Sequence, residues 1–383
     1  MLFPRTKLVD TFINHLENED LDFVVLYGEK GSGKTTFLKL LENAGILNTG
    51  KTEYIRTDIH EHETRLHDPE YIVIDSEISI EISEIRTFIK SKLPNSKIIY
   101  VTETFDEELN NSVLAYKIPH IGFREFAEGH HHPINVGELM AGTANIEKLT
   151  ELKEAYIHLG QFGKNLIKGE NTHEAFENKM KLMKEHLFAK EYDEFLEFVR
   201  TLAMTVGELF KEEKLAKLIG ISRRKVRKYT EILAKHHMIH AVGGYHKDTN
   251  IELSRHVKIY FTDLSYMDSA LGVGYFHGSM KQGVIENFIL LELDRKLKNS
   301  HTIYFYRKKS GAEIHFVLEE KSTEKLTPIE IYLRNSSAIS QAMKTFNESY
   351  NESVDHYMIL NESEAVEKEL GGKPIIVLPH VAI

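Results

Sequence analysis

The sequence contains no cysteine, which excludes disulfides, thiol nucleophiles and zinc sites built on thiolate. It has no apolar run near the ~20 residues that a bilayer-spanning helix needs. The opening MLFPRTKLVD also lacks the apolar segment of a secretory signal. A cytoplasmic protein without membrane contact is the expectation. HExxH is absent: His62 and His67 stand five apart, a spacing that does not bring two imidazoles onto one helical face. His60-Glu61-His62-Glu63 and His130-His131-His132 therefore read as solvated loop. There is no internal repeat, low-complexity segment or nucleophile-elbow motif.

What is present fits a chain of 383 residues, long enough for two or three domains with separate cores. The net charge of −10 argues against general coating of nucleic acid, although a mean charge conceals local patches.

The pattern GxxxxGKT is met by GEKGSGKT, Gly28 to Thr35. The apolar run FVVLY precedes it, and a segment with helical periodicity follows. Glycines let the backbone curl so that its N–H groups face phosphate oxygens, and a helix start adds partial positive charge. The expected nucleotide-binding residues are Gly28, Glu29, Lys30, Gly31, Ser32, Gly33, Lys34, Thr35 and Thr36, with ATP and Mg²⁺ as ligands. Lys34 would reach the β- and γ-phosphates, and the Thr35 hydroxyl would hold Mg²⁺. Asp75 ends the buried run YIVID, where a carboxylate can serve the same ion. Hydrolysis needs a group that orients or deprotonates water. Here the sequence reads Asp75-Ser76-Glu77, so Glu77 sits one position later than a Glu directly after the strand would. Thr102, closing KIIYVT, either helps position water or caps its strand.

The runs FVVLY, TEYI, YIVID and KIIYV alternate with helix-length segments, which predicts a parallel sheet covered on both faces over residues 1–134. Amphipathic helices are expected over 135–200. A helix, the turn Ile219-Gly220-Ile221 and a second helix opening at Ser222 fall within a helix-turn-helix region at 201–277. A further α/β domain is expected at 278–383, with strands at 303–308, 313–320 and 328–334, a polar helix from Ser337, and late strands MIL and PIIVL.

Residues 211–235 carry nine basic residues against three acids, +6 locally, which leaves −16 on the remainder. Arg223, Arg224, Lys225, Arg227 and Lys228 on the second helix are candidate DNA-binding residues, with Val226 and Tyr229 packing inward. The same helix also reads as a solvated face used for protein contact.

Along most of its length the chain resembles the AAA+-superfamily ATPases of bacteria and archaea that carry a winged helix and a C-terminal restriction-endonuclease-like domain. The likeness lies in GEKGSGKT, YIVID, HIGFREF (120–126), LGQFG (159–163), KIYFTDLSYMDSALG (258–272), GVIENF (283–288) and the strands YFYR, AEIHF and PIEIY. It implies a P-loop α/β domain, a helical lid, a winged helix and a PD-(D/E)XK nuclease-like α/β domain, assembled as a homo-oligomer. It also implies a degenerate nuclease site. Glu286, Glu313 and Glu330 stand at carboxylate positions, but His315 replaces an acid and Tyr332 replaces the lysine that would help activate water. Lys117 stands where the family has an arginine that reaches a neighbouring subunit's phosphate, and Arg124 is the other candidate. Because lysine lacks arginine's fork, slow turnover follows. The expectation is thus slow Mg²⁺-dependent ATP hydrolysis coupled to double-stranded DNA. The alternatives are a non-hydrolysing nucleotide switch read by a protein partner, and an ATP-dependent nuclease.

Overall fold

The computed structural model describes residues 5–18, 22–28, 31–56, 68–75, 81–103, 113–246, 256–272, 281–297, 300–308 and 311–383. Two compact units are formed, Met1–Ile121 with Phe162–Ile167, and Gly122–Gln161 with Lys168–Ile383.

The first unit is built on β1 (Phe23–Tyr27), β2 (Thr52–Ile55), β3 (Tyr71–Ile74), β4 (Lys97–Thr102) and β5 (Leu114–Lys117). They form one parallel sheet in the order β2-β3-β4-β1-β5. Successive side chains of a strand face opposite ways, so a run apolar throughout must be covered on both sides. Val24 and Leu26 pack with Phe12 and Leu16 of α1 (Thr6–Asn18) and with Phe37 and Leu41 of α2 (Lys34–Asn43). Phe23 and Val25 pack on the other side with Ile85 and Ile89 of α3 (Ile82–Lys92). The edge strand β5 is an addition to the strands expected from sequence. Its LAYK is short and only partly buried, so no apolar run marks it.

The second unit opens with α4 (Phe123–Gly129), α5 (Val136–Met140) and α6 (Ile146–Leu159). After α7 (Gly163–Lys168), which belongs to the first unit up to Ile167, come α8 (Glu174–Lys184) and α9 (Tyr192–Met204). Then follow α10 (Glu212–Ile219) and α11 (Arg223–Lys235). Gly220 ends α10 in the left-handed region at φ 80°, and the Ser222 hydroxyl caps α11 by accepting from the Lys225 N–H, so the turn is written in two residues. An antiparallel ribbon of β6 (Ile239–Gly243) and β7 (Val257–Phe261) comes next, then α12 (Leu264–Leu271).

The chain closes with α13 (Gln282–Leu297), β8 (His301–Arg307), β9 (Glu313–Glu320), β10 (Leu326–Ile331), α14 (Gln341–Tyr350), β11 (Tyr357–Asn361), β12 (Val366–Leu370) and β13 (Lys373–Pro379). The strands form a mixed sheet ordered β12-β13-β11-β10-β9-β8, parallel only where β11 meets β10 and β13. One expectation is corrected and one strand is added. The helix expected from Ser337 begins at Gln341, where Ser340 supplies the cap. The exposed strand β12, VEKEL, carries no apolar run to signal it.

His380 lies buried beyond β13, and burial, aided by the charge of Lys153, pushes its imidazole down to about 3. Burial also holds His315 of β9 below the ordinary histidine range. A folded-state value below the unfolded 6.5 means that the unfolded chain takes up the proton first. The stability these neutral rings contribute is therefore fully present above pH 6.5 and is lost on acidification, by up to about 1.4 kcal/mol per pH unit for each ring. Thermal melts between pH 7 and pH 4 are expected to fall more steeply for the wild type than for His380→Leu; parallel curves would contradict this assignment.

Candidate functional site

The loop after β1 is shaped by contacts that leave no room for side chains. The Gly28 N–H donates to the Thr102 carbonyl at 3.3 Å, and a Cβ on Gly28 would lie 2.4 Å from the Ile118 carbonyl oxygen. Gly31 and Gly33 sit at φ 85° and 91°, left-handed values that L side chains resist. Gly33 caps α2, whose first turn carries no acid, so the positive end of the helix is not cancelled. The Lys34 ammonium reaches back across the loop to the Gly28 carbonyl at 2.5 Å. The Ser32 hydroxyl is buried with no hydrogen-bond partner among the described residues. An orphaned hydroxyl, left-handed glycines and an uncompensated helix start together suit a phosphate group. Thr35 is exposed and Thr36 half-buried.

Strand register gathers the other residues at the same edge of the sheet. Thr102 pairs with Tyr27, the last residue before the loop. Asp75 follows the Ile74–Tyr100 pair directly and donates its N–H to the Ile55 carbonyl at 3.0 Å. Lys34, Asp75 and Thr102 thus lie at or just beyond the carboxyl ends of parallel strands, where open α/β sheets bind ligands. Glu29, Lys30 and Glu77, with Ser76 and the His60–His67 stretch, lie outside the described residues.

Two neighbours of the loop were not named as site residues from sequence. Arg5 is buried at φ 40° and donates through Nη2 to the Pro119 carbonyl at 2.6 Å. Its Nη1 lies 3.8 Å from where a Cβ on Gly33 would stand. Phe162, in the segment LGQFG, covers Gly31 so closely that a Cβ there would meet the ring at 2.8 Å. Lys117 is exposed at the end of β5. In the second unit, Arg124 donates to the carbonyls of Ile134 at 2.6 Å and Ala382 at 3.3 Å, a structural use of its guanidinium.

The candidate DNA-binding residues of α11 all stand on one helix, and the structure pairs most of them with acids. Arg223 meets Glu213 at 2.7 Å and Arg227 meets Glu212 at 2.8 Å. Lys225 meets Glu194 and Lys228 meets Glu191, each at 2.8 Å. Among the described residues Arg224 has no such partner. Val226 and Tyr229 are buried, as expected.

A second concentration of charge is buried between β7, β9 and α13. Lys258 of β7, its side chain 2% exposed, places its ammonium 3.2 Å from Glu286 Oε2 and in contact with Glu313 Oε1. Tyr260 donates to the same Glu286 oxygen at 2.9 Å, and Arg307 pairs with Glu313. Burial works to raise the Glu313 carboxyl, but Lys258 and Arg307 outweigh it and hold the group below the usual range. His315 Nδ1 accepts from the Ile331 N–H at 3.1 Å, and its Nε2 stands 3.7 Å from Glu286. Glu330 is occupied elsewhere, accepting from Tyr332 at 2.8 Å and from Ser340, the cap of α14. Burial raises its carboxyl. Lys258 was not singled out from sequence, since only folding brings it beside Glu286 and Glu313.

Among the described residues no group of three or more histidine, aspartate or glutamate side chains could hold a metal ion, and no helix is long and apolar enough to cross a membrane.

Two family models match, both described as Domain of unknown function, DUF8612 over residues 183–276 and DUF4143 over residues 281–381. No curated protein matches. Similar solved structures include a Walker-type ATPase, PABY2304, of Pyrococcus abyssi, at 11% identity and a TM-score of 0.37 over 70% of this chain and 95% of that one. A STAND signal-transduction ATPase with a tetratricopeptide-repeat sensor, PH0952 from Pyrococcus horikoshii, gives 13% identity and a TM-score of 0.24 over 76% of this chain and 45% of that one. A DNA replication initiation factor gives 12% identity and a TM-score of 0.26 over 76% of this chain and 88% of that one.

Proposed function

We propose that the chain binds ATP with Mg²⁺ in the Gly28–Thr35 loop and hydrolyses it slowly. The observation that carries this reading is the loop itself: left-handed glycines, an orphaned Ser32 hydroxyl and Lys34 at an uncompensated helix start. In this reading loop N–H groups and Lys34 bind the phosphates, Thr35 and Asp75 hold the ion, and Thr102 and Glu77 orient water. Mg²⁺, when bound, neutralises charge on the β- and γ-phosphate oxygens. Turnover is slow because Glu77 is displaced by Ser76, and because in a cytoplasmic homo-oligomer Lys117 offers a point charge where a fork would serve better. A rate between about 10⁻⁴ and 10⁻² per second is expected.

The output of the bound state is duplex DNA contact through α11, with residues 201–277 acting as a winged helix and 278–383 as a nuclease-like domain that does not cleave. The caging of Glu286 and Glu313 by Lys258 supports the second part. The ion pairs along α11 do not forbid the first, because the exposed pairs of Arg223 and Arg227 each hold by only about 0–1 kcal/mol, so phosphates can displace those carboxylates. They do favour a second reading, a switch read by a protein partner, since acids already occupy four of the five cations.

Turnover measured with and without duplex DNA, together with binding across a salt series, separates the two. If all five cations exchange partners, log K should fall with log salt at a slope near −4 to −5. Charge reversal at Arg223, Arg224 and Arg227 should remove binding. A flat salt profile, or a triple variant that binds like wild type, would leave the protein-partner reading.

A further inference from the structure

We propose that Lys258 is a resident cation: its ammonium takes the place of a divalent ion in a buried carboxylate pocket, and the pocket becomes a divalent-cation site once that ammonium is removed.

The pocket is assembled from four elements of one unit. Glu286 comes from α13, Glu313 and His315 from β9, Lys258 and Tyr260 from β7, and Arg307 from β8. The side chains of Glu286 and Lys258 are 4% and 2% exposed. Two carboxylates and two cations give a neutral whole. Buried charge is tolerated only when paired, and here the pairing converges on one point, the Lys258 nitrogen. The face of Phe305 lies 5.6 Å from it, which favours a cation. Without the ammonium, Arg307 would still pair with Glu313, and Glu286 would be left without a cation of that pocket against it. A divalent ion restores the balance, and the space vacated by the lysine side chain admits water to complete its shell.

The same geometry states which ion fits. His315 accepts through Nδ1 from the Ile331 N–H, and its Nε2 lies 3.1 Å from the Gln282 side-chain amide. Both ring nitrogens are thus engaged away from the lysine pocket. The donors are therefore carboxylate oxygen and water, a set suited to Mg²⁺ or Mn²⁺. This inference does not depend on the nucleotide reading, since none of its residues belongs to the glycine loop.

The test uses the full chain carrying Lys34→Ala, so that the loop adds no nucleotide-borne ion, in chelator-treated buffer. Mn²⁺ binding is followed by the loss of the free-ion electron paramagnetic resonance signal. Lys258→Ala is expected to take up one Mn²⁺ per chain at least tenfold more tightly than the Lys258 parent, with competition by Mg²⁺, and to lose it when Glu313→Gln is added. Mn²⁺ should also raise the melting temperature of Lys258→Ala and leave the parent unchanged. Lys258→Gln, which keeps much of the chain length without the charge, serves as the second variant. A folded Lys258→Ala that binds no more Mn²⁺ than the parent would overturn the proposal. So would a Glu313-dependent Mn²⁺ site in the parent. Failure of both variants to fold even in millimolar Mn²⁺ would overturn it as well, because the ion is expected to supply the charge that was removed.

Discussion

Lys34→Ala is expected to weaken ATP binding by about 10- to 100-fold and to leave no measurable turnover. Hydrogen bonds to charged groups contribute about 1.5–3 kcal/mol, and each 1.4 kcal/mol is a factor of ten in affinity. The ammonium lies across the mouth of the loop, 2.5 Å from the Gly28 carbonyl, where an incoming phosphate offers it a stronger acceptor. Lys34 is the first residue of α2 and is not buried, so the variant should melt within a few degrees of wild type. Equilibrium ATP binding beside a thermal melt checks both halves. Loss of binding accompanied by loss of folding would say nothing for the ammonium; unchanged binding would contradict its role.

The largest effect on stability is expected at Glu292. This α13 residue is 1% exposed and accepts from the Phe123 N–H at 3.1 Å and from the Tyr156 hydroxyl at 3.3 Å. The buried guanidinium of Arg295 lies 3.6 Å away. Phe123, Tyr156 and Phe288 stack edge to face or tilted around the same point, so a polar knot sits inside an aromatic cluster. Glu292→Ala removes the carboxylate from a buried cation and two donors at once. Breaking such a pair costs about 3–5 kcal/mol. Glu292→Gln keeps an oxygen for the two donors and should cost less. Urea unfolding is the measurement, with the midpoint falling and the slope unchanged. Equal stability of Glu292→Ala and wild type would mean that the knot holds nothing together.

The parts of the molecule visible in its sequence are those encoded over short distances. Gly28 to Thr35 is legible because strand, glycines, lysine and helix follow one another without a gap. The turn around Gly220 and the cap Ser222 are local in the same way. The parallel core strands are legible because burial on both faces leaves uninterrupted apolar runs. Edge strands escape: β5 is partly buried and β12 is mostly charged, so neither has the run that marks the centre of a sheet. From sequence the candidate site residues could be named one by one, but not their pairings. Arg223, Lys225, Arg227 and Lys228 read as a basic face, yet Glu191 and Glu194 lie more than 30 residues upstream of the lysines they meet. Only folding brings them onto α11. Glu286, Glu313 and His315 stood out, whereas Lys258, which pairs with both carboxylates, lies on a ribbon 28 residues before Glu286. Arg5 was invisible for a similar reason, because its place beside Gly33 depends on the path of the chain and on no motif.

The glycine loop is expected to be a working nucleotide site. Isothermal titration of MgATP into the purified wild-type chain tests it most directly. One site per chain is expected, with a dissociation constant between about 1 µM and 1 mM, the span typical of enzyme Michaelis constants. A folded protein that takes up no ATP at millimolar concentration would contradict it.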